Sequence, residues 1–259
     1  MGETIAGVRA SITAMTFPKL WFACCLLLSA ATFARAEIYF QNDGTKKGWP
    51  NYPQTPQAHG TVSDVTNPVF QGTSAIQFTQ TFDPTHNGRY HSEVVNYNCQ
   101  NMGESRFYRT TVFLPTNWVY AEDAVCVQQW AGDGPWIIME VRGTNLVILP
   151  HAEGIQTLAP MPRGQWVRIV THLVATNSGL LEVWVNGVKR LTLKGNFVPN
   201  SKSGKIRWSA GEYVTRWFPK PRTAPNPGYR ELFQDNFRMA STFEEADAAH
   251  WPEDSVAGH

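Results

Sequence analysis

Three ionisable side chains stand at alternate positions of the short segment R-Y-H-S-E. If this segment is a β-strand, Arg89, His91 and Glu93 share one face, because successive strand side chains point to opposite faces. A second segment, K-I-R-W-S-A-G-E-Y-V-T, alternates in the same way and brings together Arg207, Ser209, Gly211 and Tyr213. A cation, an imidazole and a phenol on strand faces predict proton transfer beside an anionic substrate.

The elements that must position these side chains are strands, because period-two hydrophobic runs dominate the chain. A sharp local signal is Asn186-Gly187 between L-L-E-V-W-V and V-K-R-L-T-L, which predicts a two-residue hairpin turn. A dozen such runs with Gly, Pro and Asn between them, and 12% aromatic residues, predict an all-β antiparallel sandwich or jelly roll. The acidic segment from 243 to 250 is the one helical candidate, and a concave sheet of such a sandwich often carries a groove.

The N-terminus reads as a secretory signal peptide. Lys19, an apolar run from Leu20 to Phe33 and Ala34-Arg35-Ala36 follow the charged, apolar and small-residue order of such leaders. We therefore expect residues 1–36 to be an upstream extension and signal peptide, residues 37–259 to be a single domain, and the protein to be secreted. The apolar run is too short for a comfortable membrane span, which needs about 20 residues.

Charge and motifs exclude several functions. The net charge is +1, and removal of residues 1–36 leaves it near −1, so neither nucleic acid nor a membrane surface is an expected partner. The signatures G-x-S-x-G and H-E-x-x-H and a phosphate-binding glycine loop are absent. A glycoside hydrolase that uses Glu93 and Glu140 is weakened by the lack of an E-x-D-x-x-E strand but stays open.

Two cysteines, Cys99 and Cys126, remain after the leader. In an oxidising compartment they would form either one disulfide or two buried thiols, and the sequence leaves both open.

The constellation suits β-elimination on a uronic-acid polymer. This reaction removes a weakly acidic proton beside a carboxylate, which a donor or cation must neutralise, and then protonates the departing oxygen. His91 is the predicted base, Gln129 and Arg89 are the predicted neutralisers, and Tyr213 is the predicted acid or second base. No cofactor is required for this chemistry.

At these residues the chain resembles the glucuronan lyases of polysaccharide lyase family 20, within the jelly-roll lyases that include heparin lyase I and the alginate lyases. The matching motifs are R-Y-H-S-E, V-Q-Q-W, R-W-S-A-G-E-Y and D-N-F-R-M-A-S. The resemblance implies a concanavalin A-like jelly-roll sandwich with a concave groove for an acidic polysaccharide. It also implies an endo-acting lyase of β-1,4-glucuronan that leaves unsaturated uronate ends.

Residue by residue, Tyr213 matches the tyrosine of the G-x-Y strand and Gln129 the glutamine of a Q-x-H pattern. Ala131 stands where that pattern has its histidine, so the resemblance to glucuronan lyases places the imidazole at His91. Predicted substrate contacts are Glu93, Arg142, Arg207 and Trp130, and Glu93 is also expected to have an orienting role. Arg142 shares a predicted strand face with Glu140, and an exposed ion pair between them is the alternative to uronate binding.

Two further hypotheses stay open. A structural Ca²⁺ would join the N-terminal loop to the last strand through Asp43 and Asp235, although Asp43-Gly44 is equally an ordinary turn. A noncatalytic, lectin-like sandwich would hold sugar in the same groove, but it has no need of His91, Gln129 and Tyr213 together. We expect the protein to act as a monomer.

Overall fold

The structure, a computed structural model, describes residues 36–54, 59–121, 123–133, 135–150, 153–198, 202–218 and 225–248. Residues 1–35, which hold nearly all of the predicted leader, lie outside this part. The described residues belong to one compact unit that runs from Ala36 to His259. Within the described ranges, no helix is long and apolar enough to cross a bilayer.

The described chain forms two antiparallel sheets, which confirms the predicted all-β jelly-roll sandwich. The strands are β1 (Ile38–Asn42), β2 (Asn51–Gln54), β3 (Gly60–Val65), β4 (Ala75–Thr81), β5 (His91–Asn101), β6 (Ser105–Phe113), β7 (Ala124–Ala131), β8 (Pro135–Arg142), β9 (Asn145–Pro150), β10 (Gln156–Pro160), β11 (Trp166–Val174), β12 (Gly179–Val185), β13 (Val188–Gly195), β14 (Lys205–Val214) and β15 (Tyr229–Ala240). The eight-stranded sheet has the order β13-β12-β11-β6-β15-β4-β3, with β1 also paired to β15, and the seven-stranded sheet has the order β10-β9-β8-β7-β14-β5-β2. One short helix, α1 (Phe243–Ala246), and two 3₁₀ turns, Lys46–Gly48 and Thr215–Trp217, complete the described part of the chain.

The predicted Asn-Gly hairpin is confirmed. Asn186 and Gly187 join β12 to β13 with φ values of +50° and +77°, the left-handed pair that a type I′ turn requires. The Asn186 carboxamide also accepts a hydrogen bond from the backbone N–H of Arg168 at 2.9 Å, which ties the turn to β11.

Aromatic side chains fill the space between the sheets. Trp130 and Trp208 from the seven-stranded sheet and Tyr108 from the eight-stranded sheet are all buried. Tyr108 meets both indoles edge to face, with ring centroids 5.5 Å and 5.2 Å apart. These residues define the core face of β7 and β14, so their neighbours along each strand point outward from the sandwich.

The two cysteines are both free thiols. Cys99 lies against Tyr108 and donates to the carbonyl of Ile206 at 3.3 Å, whereas Cys126 is fully buried in β7. Of the two alternatives left open by the sequence, the structure shows the unbridged one.

One carboxyl group is buried in the core without a hydrogen-bond partner among the described residues. Glu212 of β14 is fully buried, and burial raises its pKa well above the usual 4.5, opposed only in part by the positive charge of Arg230. Glu212 therefore keeps its proton in the folded protein at a pH where the unfolded chain has lost it.

This difference makes stability depend on pH in a defined direction. A group that binds more protons when folded loses stability as pH rises from its unfolded pKa toward its folded pKa, by at most about 1.4 kcal/mol per pH unit. Glu212→Gln removes that penalty, so its free energy of unfolding should rise relative to the parent as pH goes from 5 to 8. Urea unfolding across this range tests it, with exposed Glu153→Gln as the control. Parallel curves for Glu212→Gln and the parent contradict it.

Candidate active site

Strand pairing brings the two predicted catalytic segments together. β14 lies between β5 and β7, and His91 is paired in register with Tyr213. Their rings stack with centroids 3.8 Å apart and planes inclined by 12°. The imidazole and phenol therefore form one unit on the outward face of the seven-stranded sheet, which we call the site face.

Glu93 joins His91 to Gln129. Its Oε2 lies 2.7 Å from Nδ1 of His91, and its Oε1 accepts a 2.6 Å hydrogen bond from Nε2 of Gln129. A carboxylate has only acceptors, so this contact places the imidazole proton on Nδ1 and leaves the Nε2 lone pair of His91 available as a base. Glu93 is 3% exposed with both oxygens engaged, which favours the orienting role expected for it over the predicted substrate contact.

Tyr213 is placed to act as a proton donor. Burial raises the pKa of its phenol, while the charge of Arg89 lowers it in part. The phenol accordingly stays protonated through the neutral range. Arg89 itself lies just before β5, exposed, with its guanidinium 6.0 Å from the ring of Phe218.

Gly211 makes the close packing around this unit possible. It is paired with Glu93 and has φ of +142°, a conformation that favours glycine. A Cβ atom here would lie 2.3 Å from the carbonyl oxygen of Ser92 and 2.7 Å from Cα of Glu93. A side chain at this position would thus push β14 away from β5 and disturb the Glu93 contacts.

The adjacent glutamines separate as their alternation requires. Gln128 points into the core and accepts a hydrogen bond from the indole N–H of Trp208 at 3.1 Å. Gln129 points to the site face, and its Oε1 is buried with no partner among the described residues. The substrate contact predicted for Trp130 is wrong, because this residue follows Gln129, faces the core and is fully buried.

The remaining predicted contacts lie around this centre. Arg207 is half-buried on β14 and paired with Ala131, which stands where the Q-x-H pattern has its histidine. Arg142 is held by Glu140, with Nε 2.7 Å from Oε2, and it lines an open pocket with Arg216, Tyr120 and Asn145. The ion pair weighed for Arg142 is present, with a buried Glu140 as partner, and uronate binding stays a prediction for a residue that still faces a cavity.

Cys126 was missed by sequence reasoning. It is paired in register with both Tyr213 and Glu140, so it lies on the site face beneath them, and burial raises its pKa well above 9.0. Simple alternation from Gln129 would place Val127, not Cys126, on this face, and no local signal marks the irregularity.

A histidine and glutamate pair is not diagnostic by itself. The eight-stranded sheet carries another, in which His172 Nδ1 lies 2.8 Å from Glu182 Oε2 and His172 stacks on Phe107. What distinguishes His91 is its neighbourhood, because its ring stacks on a phenol and its glutamate also binds a buried amide.

The two predicted metal ligands come close together. β1 pairs with β15, which brings Asp43 near the buried Asp235. Asp235 accepts backbone hydrogen bonds from Phe70 and Gln71 at 2.9 and 3.0 Å, and burial raises its pKa to about 6. Among the described residues no three His, Cys, Asp or Glu side chains cluster, so amide and carbonyl oxygens would have to complete any ion site here.

Comparison with known proteins places this geometry in context. A family model described as polysaccharide lyase matches residues 41–238. The solved endo-beta-1,4-glucuronan lyase from the fungus Trichoderma reesei superposes with a TM-score of 0.73, at 24% identity over 81% of this chain and 98% of that chain. The cellulose-induced protein Cip1 superposes with a TM-score of 0.53, at 16% identity over 78% and 97% of the two chains. These two matches show a shared fold, and no curated protein matches the sequence.

Proposed function

The chain belongs to the polysaccharide lyase family, and from this premise we propose that it cleaves a polyuronate, first of all β-1,4-glucuronan, by endolytic β-elimination. The observation that carries this proposal is the unit of His91 stacked on Tyr213, with Glu93 binding both His91 and Gln129. Base, acid and amide donor thus lie on one face beside each other. A glycoside hydrolase would need Glu93 and Glu140 as its two catalytic carboxyl groups. Here Glu140 is paired with Arg142 and Glu93 with His91, which favours the lyase.

The proton-transfer steps follow from the contacts. His91 Nε2 takes the C5 proton of the uronate, and the electron pair of that bond forms the C4–C5 double bond. The C4–O bond to the preceding sugar breaks, and the Tyr213 hydroxyl gives its proton to the departing oxygen. Because Glu93 stays on Nδ1 throughout, the imidazolium that forms is stabilised by an adjacent carboxylate.

Neutralisation of the substrate carboxylate falls to Gln129 and Arg89. One N–H of the Gln129 amide is engaged by Glu93, which leaves the second for the substrate carboxylate. Its unpartnered Oε1 suits a sugar hydroxyl, because a buried acceptor without a donor costs about 1–3 kcal/mol. Arg89 adds a positive charge just before β5, the strand that carries His91, where the carboxylate charge grows during proton removal.

The test is direct. The protein is incubated separately with glucuronan, alginate, heparin and pectate while the absorbance of the unsaturated uronate is followed. We expect new absorbance with glucuronan above the others and early loss of viscosity, as endolytic cleavage requires. If absorbance rises only with a polyuronate other than glucuronan, the substrate assignment is overturned. If new reducing ends form without new absorbance, β-elimination is overturned.

We also propose that the protein is exported and acts as a monomer. Support for export comes from Lys19, the apolar run and Ala34-Arg35-Ala36. N-terminal sequencing of the protein secreted by its own host should begin at Glu37. Light scattering should give the mass of a single chain.

A structural calcium ion is a further proposal, supported by oxygen atoms around Asp235. The Oδ1 atom of Asn236 is buried without a partner among the described residues, and Gly44 packs its backbone against Ser74 and Asp235. Hard carboxylate, amide and carbonyl oxygens are the ligands that Ca²⁺ prefers. When bound, the ion would hold the loop after β1 to β15, far along the chain from His91.

Calcium should raise the thermal midpoint of chelator-treated protein. At 100 times the dissociation constant the expected gain is about 2.7 kcal/mol. Asp43→Asn should abolish most of this response, whereas Asp133→Asn, which changes an exposed aspartate after β7, should retain it. Equal midpoints with calcium and with chelator, together with no calcium in elemental analysis, contradict the proposal.

A further inference from the structure

We propose that Gln234 is a positioning residue for catalysis, which fixes from the core side the β-bulge that aligns Gln129 with Tyr213. Gln234 belongs to β15 of the eight-stranded sheet and is fully buried. Its Nε2 donates across the sandwich to the carbonyl oxygens of Val127 at 2.8 Å and Gly211 at 3.1 Å. One amide therefore holds two strands of the opposite sheet at the site.

These two carbonyls belong to an irregular stretch of pairing. Between β7 and β14, Gln128 pairs with Ala210 but the next pair is Cys126 with Tyr213, so Gly211 and Glu212 stand opposite Val127 alone. Between β7 and β8 the register also shifts at Val127. A bulge disrupts the local ladder and leaves backbone groups to find other partners. Gln234 supplies the donor for two of them.

The bulge decides which β7 side chains face the substrate. Without it, the site face of β7 would present Gln129, Val127 and Val125. With it, Cys126 stands beside Tyr213 and Glu140, and Val127 joins the hydrophobic core. The bulge thus sets the offset between Gln129, which binds Glu93, and Tyr213, which stacks on His91.

Gln234 acts from behind the sheet and does not reach the sugar. Its two bonds end on main-chain atoms, and Leu232 on the same strand face lies in the core. On the edge of β14 that faces β5, Gly211 fits against Ser92 and Glu93 with no room for a Cβ atom. Loss of the Gln234 amide would remove its hydrogen bonds to two buried carbonyls, and the bulge would relax at the point where alignment matters most.

The chain offers a matched control. Gln100 of β5 is also buried, and its Nε2 likewise donates to two backbone carbonyls, of Glu104 at 2.7 Å and of Leu173 at 3.1 Å. It lies nine residues along β5 from His91. Gln234→Met and Gln100→Met therefore each remove an amide that donates to two backbone carbonyls, one beneath the site and one away from it. Gln100→Met also removes an acceptor 2.6 Å from the Tyr108 hydroxyl, so it is the more demanding control for stability.

This inference rests on the proposed lyase function, and the experiment has one readout that depends on turnover and one that does not. Both variants should unfold at lower urea concentration than the parent. At a temperature where both are folded, Gln234→Met should lower kcat about 10-fold to 100-fold with little change in KM, because misplacement of reacting groups acts mainly on the chemical step. Gln100→Met should keep the parental kcat.

The second readout is the nuclear magnetic resonance signal of the His91 ring protons, which the stacked Tyr213 ring shifts upfield. That shift should shrink in Gln234→Met and persist in Gln100→Met. Equal ring shifts and equal turnover per folded molecule in the two variants overturn the inference. A parent that cleaves no polyuronate overturns the proposed function instead, and the ring shift still decides the role of Gln234. If Gln234→Met does not fold, Gln234→Asn and Gln100→Asn give the same comparison.

Discussion

Replacement of Tyr213 by phenylalanine should lower kcat on the polyuronate substrate about 10²-fold to 10⁴-fold, the usual effect of losing one proton-transfer group. The variant keeps the ring that stacks on His91 at 3.8 Å, so packing and the His91 orientation should survive. Only the hydroxyl that protonates the departing oxygen is lost. KM should therefore change little, and steady-state kinetics on defined oligosaccharides measures both quantities.

The control for this variant is Tyr229→Phe, which removes a hydroxyl from a half-exposed tyrosine at the start of β15 in the other sheet. It should turn over at the parental rate. If Tyr213→Phe also keeps near-parental kcat, the phenol has no part in proton transfer and another acid must be sought. If binding is lost together with turnover, the hydroxyl holds the substrate and does not act as the acid.

Much of the fold could be predicted because its signals are local. The Asn186-Gly187 turn needs two residues of left-handed backbone, which Asn and Gly adopt readily. The alternating runs on either side of it predict half-buried strands. Strands β3 and β10 carry weaker alternation, because they lie at sheet edges where fewer side chains are buried. The predicted strand that begins at Arg89 starts two residues early, because β5 begins at His91.

The site was less accessible to sequence reasoning, because its details depend on pairing between distant segments. Alternation correctly separates Gln128 from Gln129, and the same alternation should have moved Trp130 into the core. The bulge at Val127 has no comparable signature. It arises only when β7 meets β14 and β8, so the place of Cys126 on the site face and the role of Gln234 follow from the three-dimensional structure alone.

Conversion of Glu93 to glutamine should be as damaging as loss of the acid, about 10²-fold to 10⁴-fold in kcat. The new amide has the shape of the carboxylate but one acceptor and one donor group, and it must face donors on both sides, His91 Nδ1 and Gln129 Nε2. If its NH₂ faces His91, the imidazole proton moves to Nε2 and the base is lost. If Gln129 turns over to restore the tautomer, the negative charge that stabilises the imidazolium is still gone.

The His172 and Glu182 pair supplies the matched control. Glu182→Gln makes the same change at a contact of 2.8 Å on the other sheet, and it should leave kcat unchanged while costing a little stability. Equal kcat values for Glu93→Gln and Glu182→Gln would show that both pairs are structural. A selective loss at Glu93 instead means that the imidazole needs its carboxylate for turnover, because the two variants alter histidine contacts of the same kind and differ in what surrounds them. It is the phenol and the buried amide beside His91 that turn a common strand contact into a candidate for catalysis.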